Sequence, residues 1–135
     1  MTNKIIYWIS TLWASLGMVA TGLVQITKQT ANVNFMAHIG YPAYFYSIIG
    51  VWKILGVIAL LVPKFPLLKE WAYAGFFFLM TGALFTHIAV GDSVKEIYPS
   101  SLLLVLISVS WYFRPASRRL VQLKPMSQST LILSE

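Results

Sequence analysis

Four apolar runs, separated by short polar segments, dominate the pattern along this chain. They cover residues 5–26, 43–62, 71–90 and 99–113. A helix needs about 20 mainly apolar residues to cross the hydrocarbon core of a bilayer, so each run is predicted to be a transmembrane helix. The pattern therefore predicts an all-α fold, in which residues 1–119 form one domain, a bundle of four transmembrane helices.

The polar segments between the runs predict the connections. Residues 28–41 are expected to form a longer polar loop, residues 63–70 a short hairpin, and residues 93–98 a still shorter turn. Pro99 is expected in the first turn of the fourth helix, the shortest of the four, because proline suits that position. After Arg119 the composition becomes polar and rich in serine, which predicts a flexible tail over residues 120–135.

Composition and charge agree with a membrane protein. Of the 135 residues, 58% are hydrophobic and only 10% are charged, whereas a soluble domain is about 25% charged. The net charge of +6 does not indicate a nucleic-acid interface, because most basic residues stand at the ends of apolar runs. Those on one predicted side are Lys4, Lys64, Lys69, Arg114, Arg118, Arg119 and Lys124. The positive-inside rule then predicts that both termini are cytoplasmic. The expected location is a bacterial-type inner membrane.

Several reaction classes lack the residues that they require. The sequence contains no cysteine, so it offers no disulfide, thiol nucleophile or iron–sulfur ligand. It also shows no nucleophile–base–acid set and no glycine-rich phosphate loop, which disfavours a hydrolase or an ATPase. We therefore expect no stand-alone enzyme, no catalytic residue and no metal site, and any redox role would need a bound organic cofactor or a partner.

Lys53 is the main candidate for a functional residue. It lies near the middle of the second apolar run, where a charge costs from about 3 to over 10 kcal/mol, depending on how that cost is measured. Helical spacing puts it on one stripe with Gly50 and Gly56, and small residues mark the packed faces of membrane helices. Lys53 is thus predicted to face the bundle. The alternative is that it only bonds backbone carbonyls and fixes the helix register.

Helix directions predict which other polar side chains surround Lys53. Helical side chains lean toward the N-terminus of their own helix. Lys53 would therefore lean toward the outer side of the membrane, while groups on the first and third helices would lean toward the inner side. Asp92 would lie higher, at the rim, and reach Lys53 through a water bridge. Glycines 75 and 82 are expected on the packed face of the third helix. The predicted ligand-binding residues are Lys53, His87, Gln25, Thr21, Thr86, Tyr46, Trp52 and Asp92.

The order of several short motifs resembles the DoxX-like family of four-span membrane proteins. They are Ile39-Gly40-Tyr41-Pro42, Gly50-Val51-Trp52-Lys53-Ile54-Leu55-Gly56, Pro63, Pro66, Lys69-Glu70-Trp71-Ala72-Tyr73-Ala74-Gly75, Thr81-Gly82-Ala83, His87, Gly91-Asp92, Pro99 and Arg114-Pro115. The resemblance covers residues 5–115. It implies a four-helix bundle, in a superfamily where some members pair with redox partners, as in sulfur oxidation coupled to quinone. Other members act as chaperones for receptor channels.

Two departures from related proteins limit what the resemblance implies. DoxX proteins proper tend to carry a glutamate in the second span, where this sequence has Lys53. The fold is also similar to that of the vitamin K reductase family, but this chain lacks the cysteines of that chemistry. An acid-dependent or thiol-dependent mechanism therefore does not transfer to this chain.

Three hypotheses follow from the sequence. In the first, a pocket around Lys53 binds a quinone or another lipophilic ligand, and the protein is an accessory redox or membrane subunit. In the second, the chain is an assembly factor that binds the transmembrane helices of client proteins. The third, a proton-coupled carrier, ranks last because the cytoplasmic half of the bundle is expected to be dry and apolar. Expected partners are the lipid bilayer and either a second copy or a partner membrane protein, and no nucleic acid.

Overall fold

The computed structural model describes residues 1–27 and 30–120, with the backbone alone for residues 30–32. Within these ranges the chain forms helices and no strand. The helices are α1 (Thr2–Ile26), α2 (Thr30–His38), α3 (Ala43–Leu61), α4 (Pro66–Ala89) and α5 (Val94–Phe113), followed by a 3₁₀ turn at Ala116–Arg118. All except α2 and the 3₁₀ turn are long and apolar enough to span a membrane. The predicted all-α, four-helix membrane fold is confirmed.

Several helix boundaries differ from those predicted. Helix α4 begins at Pro66 rather than near residue 71, and α5 begins at Val94 rather than at Pro99. Pro99 thus lies inside α5, and α5 is longer than α3. The apolar runs understate these helices because charged residues near the N-termini, Lys69 and Glu70 in α4 and Lys95 and Glu96 in α5, interrupt the hydrophobic pattern. The predicted tail lies outside the described residues except for Leu120, and the orientation of the termini stays a prediction.

Helix α2 stands where the sequence predicts a polar loop. The helix mixes polar and apolar residues, and two of the apolar ones hold it against the bundle: Met36 is only 2% exposed, and the ring of Phe35 stacks on that of His87. Gly40, with a φ of 81°, then reverses the chain before α3. This left-handed backbone conformation suits glycine, which has no β-carbon to clash. The loop prediction was wrong because a helix of nine residues with two neighbouring contact residues shows no helical periodicity in the sequence.

The four long helices form a ring. Helix α1 packs against α3 and α5, and α4 packs against the same two helices. The apolar core at the centre includes Ala14, Met18, Val57, Leu60, Tyr73, Phe76, Met80, Leu103 and Ile107. Neighbouring helices approach closely at glycines: a β-carbon on Gly56 would lie 2.5 Å from the ring of Phe76. Close approach of this kind is how helices pack in lipid, where no hydrophobic force draws them together.

Glycines do not mark the packed face of α4, contrary to the sequence prediction. A β-carbon on Gly75 or Gly82 would have no neighbour within 4 Å. The side chains of Tyr73, Phe76 and Met80 occupy the packed face instead. The prediction was wrong because a small residue can equally border a cavity or groove.

Two cations cap the C-terminus of α3. The last carbonyls of a helix have no partner within it, and Pro63, which follows, has no N–H to offer. Lys69 donates to the carbonyl oxygens of Ala59 and Val62, the former at 2.9 Å, while Arg118 donates to those of Leu60 at 2.8 Å and Leu61 at 3.5 Å. Lys69 is only 1% exposed. Its burial is therefore explained by capping.

The half of the bundle near the chain ends is not apolar. The hydroxyl oxygens of Thr11 and Ser110 lie 2.5 Å apart, and that of Tyr73 lies 2.8 Å from Ser110. All three side chains are buried, and they come from α1, α5 and α4. The expectation of an apolar half was wrong, because isolated Ser and Thr residues in apolar runs gave no sign that they would meet.

Candidate functional site

Lys53 faces the interior of the bundle, as its helical stripe predicts. It is 5% exposed, and its Nζ donates to Thr21 Oγ1 of α1 at 3.1 Å. Thr21 Oγ1 in turn donates to the carbonyl oxygen of Gly17 at 2.8 Å. A lysine ammonium has three N–H donors. Among the described residues the other two have no acceptor, and no carboxylate pairs with Lys53.

Lys53 lies in the wall of a cavity of about 530 Å³, here called the Lys53 cavity. Thr21 and Gln25 of α1 and Thr86 and His87 of α4 lie in the same wall. The predicted convergence of these four side chains with Lys53 is therefore observed. Glu96 and Ser100 of α5 are further polar members of this wall. The rest of the wall is mainly apolar and aromatic, with contributions from α2, α3, α4 and α5. Its aromatic members are Phe35, Tyr41, Phe45, Tyr46 and Phe78.

Asp92 holds His87 at the rim of the cavity. Its Oδ2 lies 2.7 Å from His87 Nδ1, and its Oδ1 lies 3.9 Å from Nε2 of His38 on α2. The ring of Phe35 stacks on that of His87, with centroids 5.4 Å apart. A carboxylate that accepts from Nδ1 fixes the imidazole orientation and leaves Nε2 of a neutral ring as an acceptor. Asp92 thus orients His87, and within the described residues Asp92 forms no ion pair with Lys53.

Gln25 and Thr86 differ in how their polar atoms are bonded. Gln25 is 8% exposed, and its buried Oε1 has no hydrogen-bond partner in the described chain. Thr86 Oγ1 donates to the carbonyl oxygen of Gly82 at 2.9 Å, as expected for threonine inside a helix. An unpaired buried oxygen is uncommon and marks a place where a donor would fit.

Trp52 does not reach the Lys53 cavity, unlike Tyr46, which was also predicted and also belongs to α3. It is 66% exposed and lies in an apolar groove between α3 and α4, which adjoins the Lys53 cavity at Ile49 and Leu79. Adjacent residues on a helix point about 100° apart, so Trp52 and Lys53 diverge. Asp92 also lies outside the cavity wall, and its link to the cavity is the hydrogen bond with His87.

Sequence reasoning missed three aromatic residues of the cavity wall. Phe35 and Phe45 flank the turn between α2 and α3, and Phe78 comes from α4. Their positions in the sequence resemble those of an ordinary aromatic belt. Only α2, which sequence reasoning did not predict, explains why Phe35 reaches His87.

An apolar layer separates the Lys53 cavity from the buried Thr11–Ser110–Tyr73 cluster. Met18, Val57 and Met80, each at most 5% exposed, lie along their helices between the two polar regions. The described bundle therefore has two polar regions with a hydrophobic core between them. This arrangement gives a proton-coupled carrier no support.

These features define a class of protein: a four-helix integral membrane protein with a polar cavity inside its bundle. The model of the DoxX-like family matches residues 9–110, which is most of the chain. The chain belongs to the DoxX-like family and is a multi-pass membrane protein. No curated protein and no solved structure matches it.

Proposed function

We propose that the Lys53 cavity binds a lipophile that carries a carbonyl oxygen, in particular a quinone, and that the protein serves as an accessory redox subunit of a bacterial-type inner membrane. The observation that carries this proposal is the ammonium of Lys53. Two of its N–H groups lack an acceptor among the described residues, and it borders a cavity deep in an apolar bundle. Charged residues in such places usually serve a function.

The charge in the cavity favours an oxygen-bearing ligand. Lys53 has no acidic partner in the described chain, and Thr21 satisfies only one of its donors. A buried charge is costly unless hydrogen bonds satisfy it. A quinone carbonyl placed against Nζ would accept one of the remaining N–H groups.

The size and lining of the cavity fit a ring with an isoprenoid tail. Its volume of about 530 Å³ lies within the range of roughly 300–1,000 Å³ that is typical of small-molecule sites. Phe45, Tyr46 and Phe78 supply flat apolar surface for a ring. The isoprenoid tail would extend into the bilayer, from which the ligand would enter the cavity.

Gln25 and His87 can serve the reduced form of the ligand. A quinol donates through its hydroxyl groups, whereas a quinone only accepts. Gln25 Oε1 makes no hydrogen bond in the described chain. This oxygen can therefore turn toward the cavity and accept from a quinol hydroxyl without losing an existing partner. With Asp92 on Nδ1, Nε2 of a neutral His87 is a second acceptor.

A binding measurement tests the proposal. The purified protein in mild detergent is titrated with a short-chain ubiquinone analogue, and native mass spectrometry identifies any lipophile that co-purifies. Lys53→Met is expected to weaken quinone binding at least tenfold. Lys95→Met removes a charge from an exposed position outside the cavity wall and should leave the affinity within twofold.

Two results would count against quinone binding. One is equal affinity in the wild type and Lys53→Met. The other is a ligand-free protein that retains a stoichiometric second membrane polypeptide. The latter result would favour the assembly-factor hypothesis and place Lys53 at a protein interface.

A further inference from the structure

A second cavity, of about 650 Å³, lies at the end of the bundle where α1 begins and α5 ends. We call it the basic cavity. Its wall is formed by Asn3 and Lys4 of α1 and by residues 111–116 and 119. It contains three cationic side chains, Lys4, Arg114 and Arg119, and no aspartate or glutamate. It is separate from the Lys53 cavity, and the two have no lining residue in common.

Two of the three cations in this wall are not neutralised by any described residue. Arg114 forms an ion pair with Glu70 and donates to the carbonyl oxygen of Trp111 at 2.6 Å. Lys4 makes no side-chain hydrogen bond or ion pair within the described chain. Arg119 bonds only backbone carbonyls, through Nε to Arg114 at 2.8 Å and through Nη2 to Tyr112 at 3.4 Å. Three of its five N–H donors are left over.

The aromatic residues beside the basic cavity indicate that it lies at the depth of lipid headgroups. Trp111 and Tyr112 belong to the last turn of α5, a candidate membrane span, and are 45% and 68% exposed. Tryptophan and tyrosine concentrate at the membrane–water interface, where an apolar ring and a polar edge are both accommodated. A wall that combines exposed aromatic rings with cations that have no acidic partner therefore suits acyl chains and phosphates together.

We propose that the basic cavity is a specific site for an anionic glycerophospholipid, with Lys4 and Arg119 holding the headgroup phosphate. The acyl chains lie in the bilayer beside α1 and α5, next to the exposed rings of Trp111 and Tyr112. Basic pockets between transmembrane helices bind acidic headgroups by this combination of charge and depth. The proposal is independent of quinone binding.

Native mass spectrometry of the full chain in mild detergent tests the proposal, with short-chain phosphatidylglycerol as the probe and phosphatidylcholine of equal chain length as the neutral comparison. The wild type is expected to bind one phosphatidylglycerol in preference to phosphatidylcholine. A favourable contribution of about 1 kcal/mol per basic residue at a membrane surface corresponds to roughly fivefold in affinity. Lys4→Gln should therefore weaken binding about fivefold, and Lys4→Gln with Arg119→Gln about 25-fold.

A matched double variant controls for net charge. Lys64→Gln with Lys95→Gln also removes two positive charges, but from exposed positions outside both cavities. It should keep phosphatidylglycerol affinity within twofold. Because Lys4 makes no side-chain contact that folding needs in the described chain, Lys4→Gln remains informative even if Arg119→Gln destabilises the protein.

Three outcomes would overturn the proposal. One is an equal loss of binding in the two double variants, which would mean that only overall charge attracts the lipid. Another is unchanged binding in Lys4→Gln. The third is equally tight binding of glycerophosphoglycerol, the soluble headgroup without acyl chains, because the site would then recognise a free phosphate ester instead of a membrane lipid.

Discussion

Gly22 and Gly50 bring α1 and α3 into contact backbone to backbone. A β-carbon on Gly50 would lie 2.6 Å from the carbonyl oxygen of Gly22. The residues of the candidate site flank this contact, since Thr21 adjoins Gly22 and Lys53 lies one turn after Gly50. The hydrogen bond between Lys53 and Thr21 therefore depends on two glycines that bind nothing themselves.

Gly50→Ala is expected to destabilise the protein by about 1–3 kcal/mol, because the added methyl group forces the two helices apart. It should also weaken quinone binding by separating Lys53 from Thr21. Thermal unfolding in detergent, followed by circular dichroism, measures the first effect. Gly75→Ala is the control, because its β-carbon would have no neighbour within 4 Å. Equal stability of the two variants would contradict this account of the α1–α3 contact.

Trp52 and Tyr46 are expected to differ in their effect on quinone binding, although both belong to α3. Tyr46→Leu removes a ring from the wall of the Lys53 cavity and should weaken binding about three- to tenfold. Trp52→Leu changes only the groove between α3 and α4 and should leave the affinity within twofold. Titration of both variants with the short-chain ubiquinone analogue checks this. A larger loss in Trp52→Leu would place the ligand in the other groove.

Lys69→Met is expected to lower stability by about 2–4 kcal/mol. Lys69 is buried and donates to two carbonyls at the end of α3, so its loss leaves Ala59 and Val62 without these donors. Lys64→Met is the matched control, because Lys64 is exposed and only a few residues away. Denaturant unfolding of both variants measures the difference. A Lys69→Met protein as stable as the control would show that capping by Arg118 is sufficient.

Ser110→Ala is expected to cost about 1–3 kcal/mol, because it leaves the buried hydroxyl groups of Thr11 and Tyr73 without their shared partner. Ser108 is the comparison on the same helix. It is exposed and bonds only the carbonyl oxygen of Leu104, so Ser108→Ala should change stability by less than about 0.5 kcal/mol. Thermal unfolding separates the two. Quinone affinity should stay unchanged in both variants, since neither serine lines the Lys53 cavity.

Asp92→Ala is expected to weaken quinone binding about three- to tenfold while Lys53 stays in place. Asp92 lies outside the cavity wall and acts by orienting His87, which also stacks on Phe35. Histidine NMR shifts should report a change at His87 in this variant. Lys95→Ala, nearby on α5, serves as the control. Unchanged affinity together with a changed His87 signal would show that His87 does not touch the ligand.

The sequence alone determined the four membrane helices and the inward position of Lys53. Both follow from local properties: an apolar run of sufficient length requires a membrane helix, and helical spacing places Lys53 on the stripe of Gly50. Directions along the helices also sufficed to place His87, Gln25, Thr21 and Thr86 near Lys53. Whether these residues bind a ligand remains a prediction.

Only the tertiary structure decided which polar groups became partners and which aromatic residues closed the cavity. Helix α2 is fixed by the buried Met36, the cap of α3 joins residues far apart in the chain, and Ser110 meets Thr11 across the bundle. Such contacts depend on how helices rotate and approach one another, and glycine contacts such as Gly22–Gly50 set that geometry. A periodic pattern specifies the buried face of a helix, but it does not specify the atoms that this face will meet.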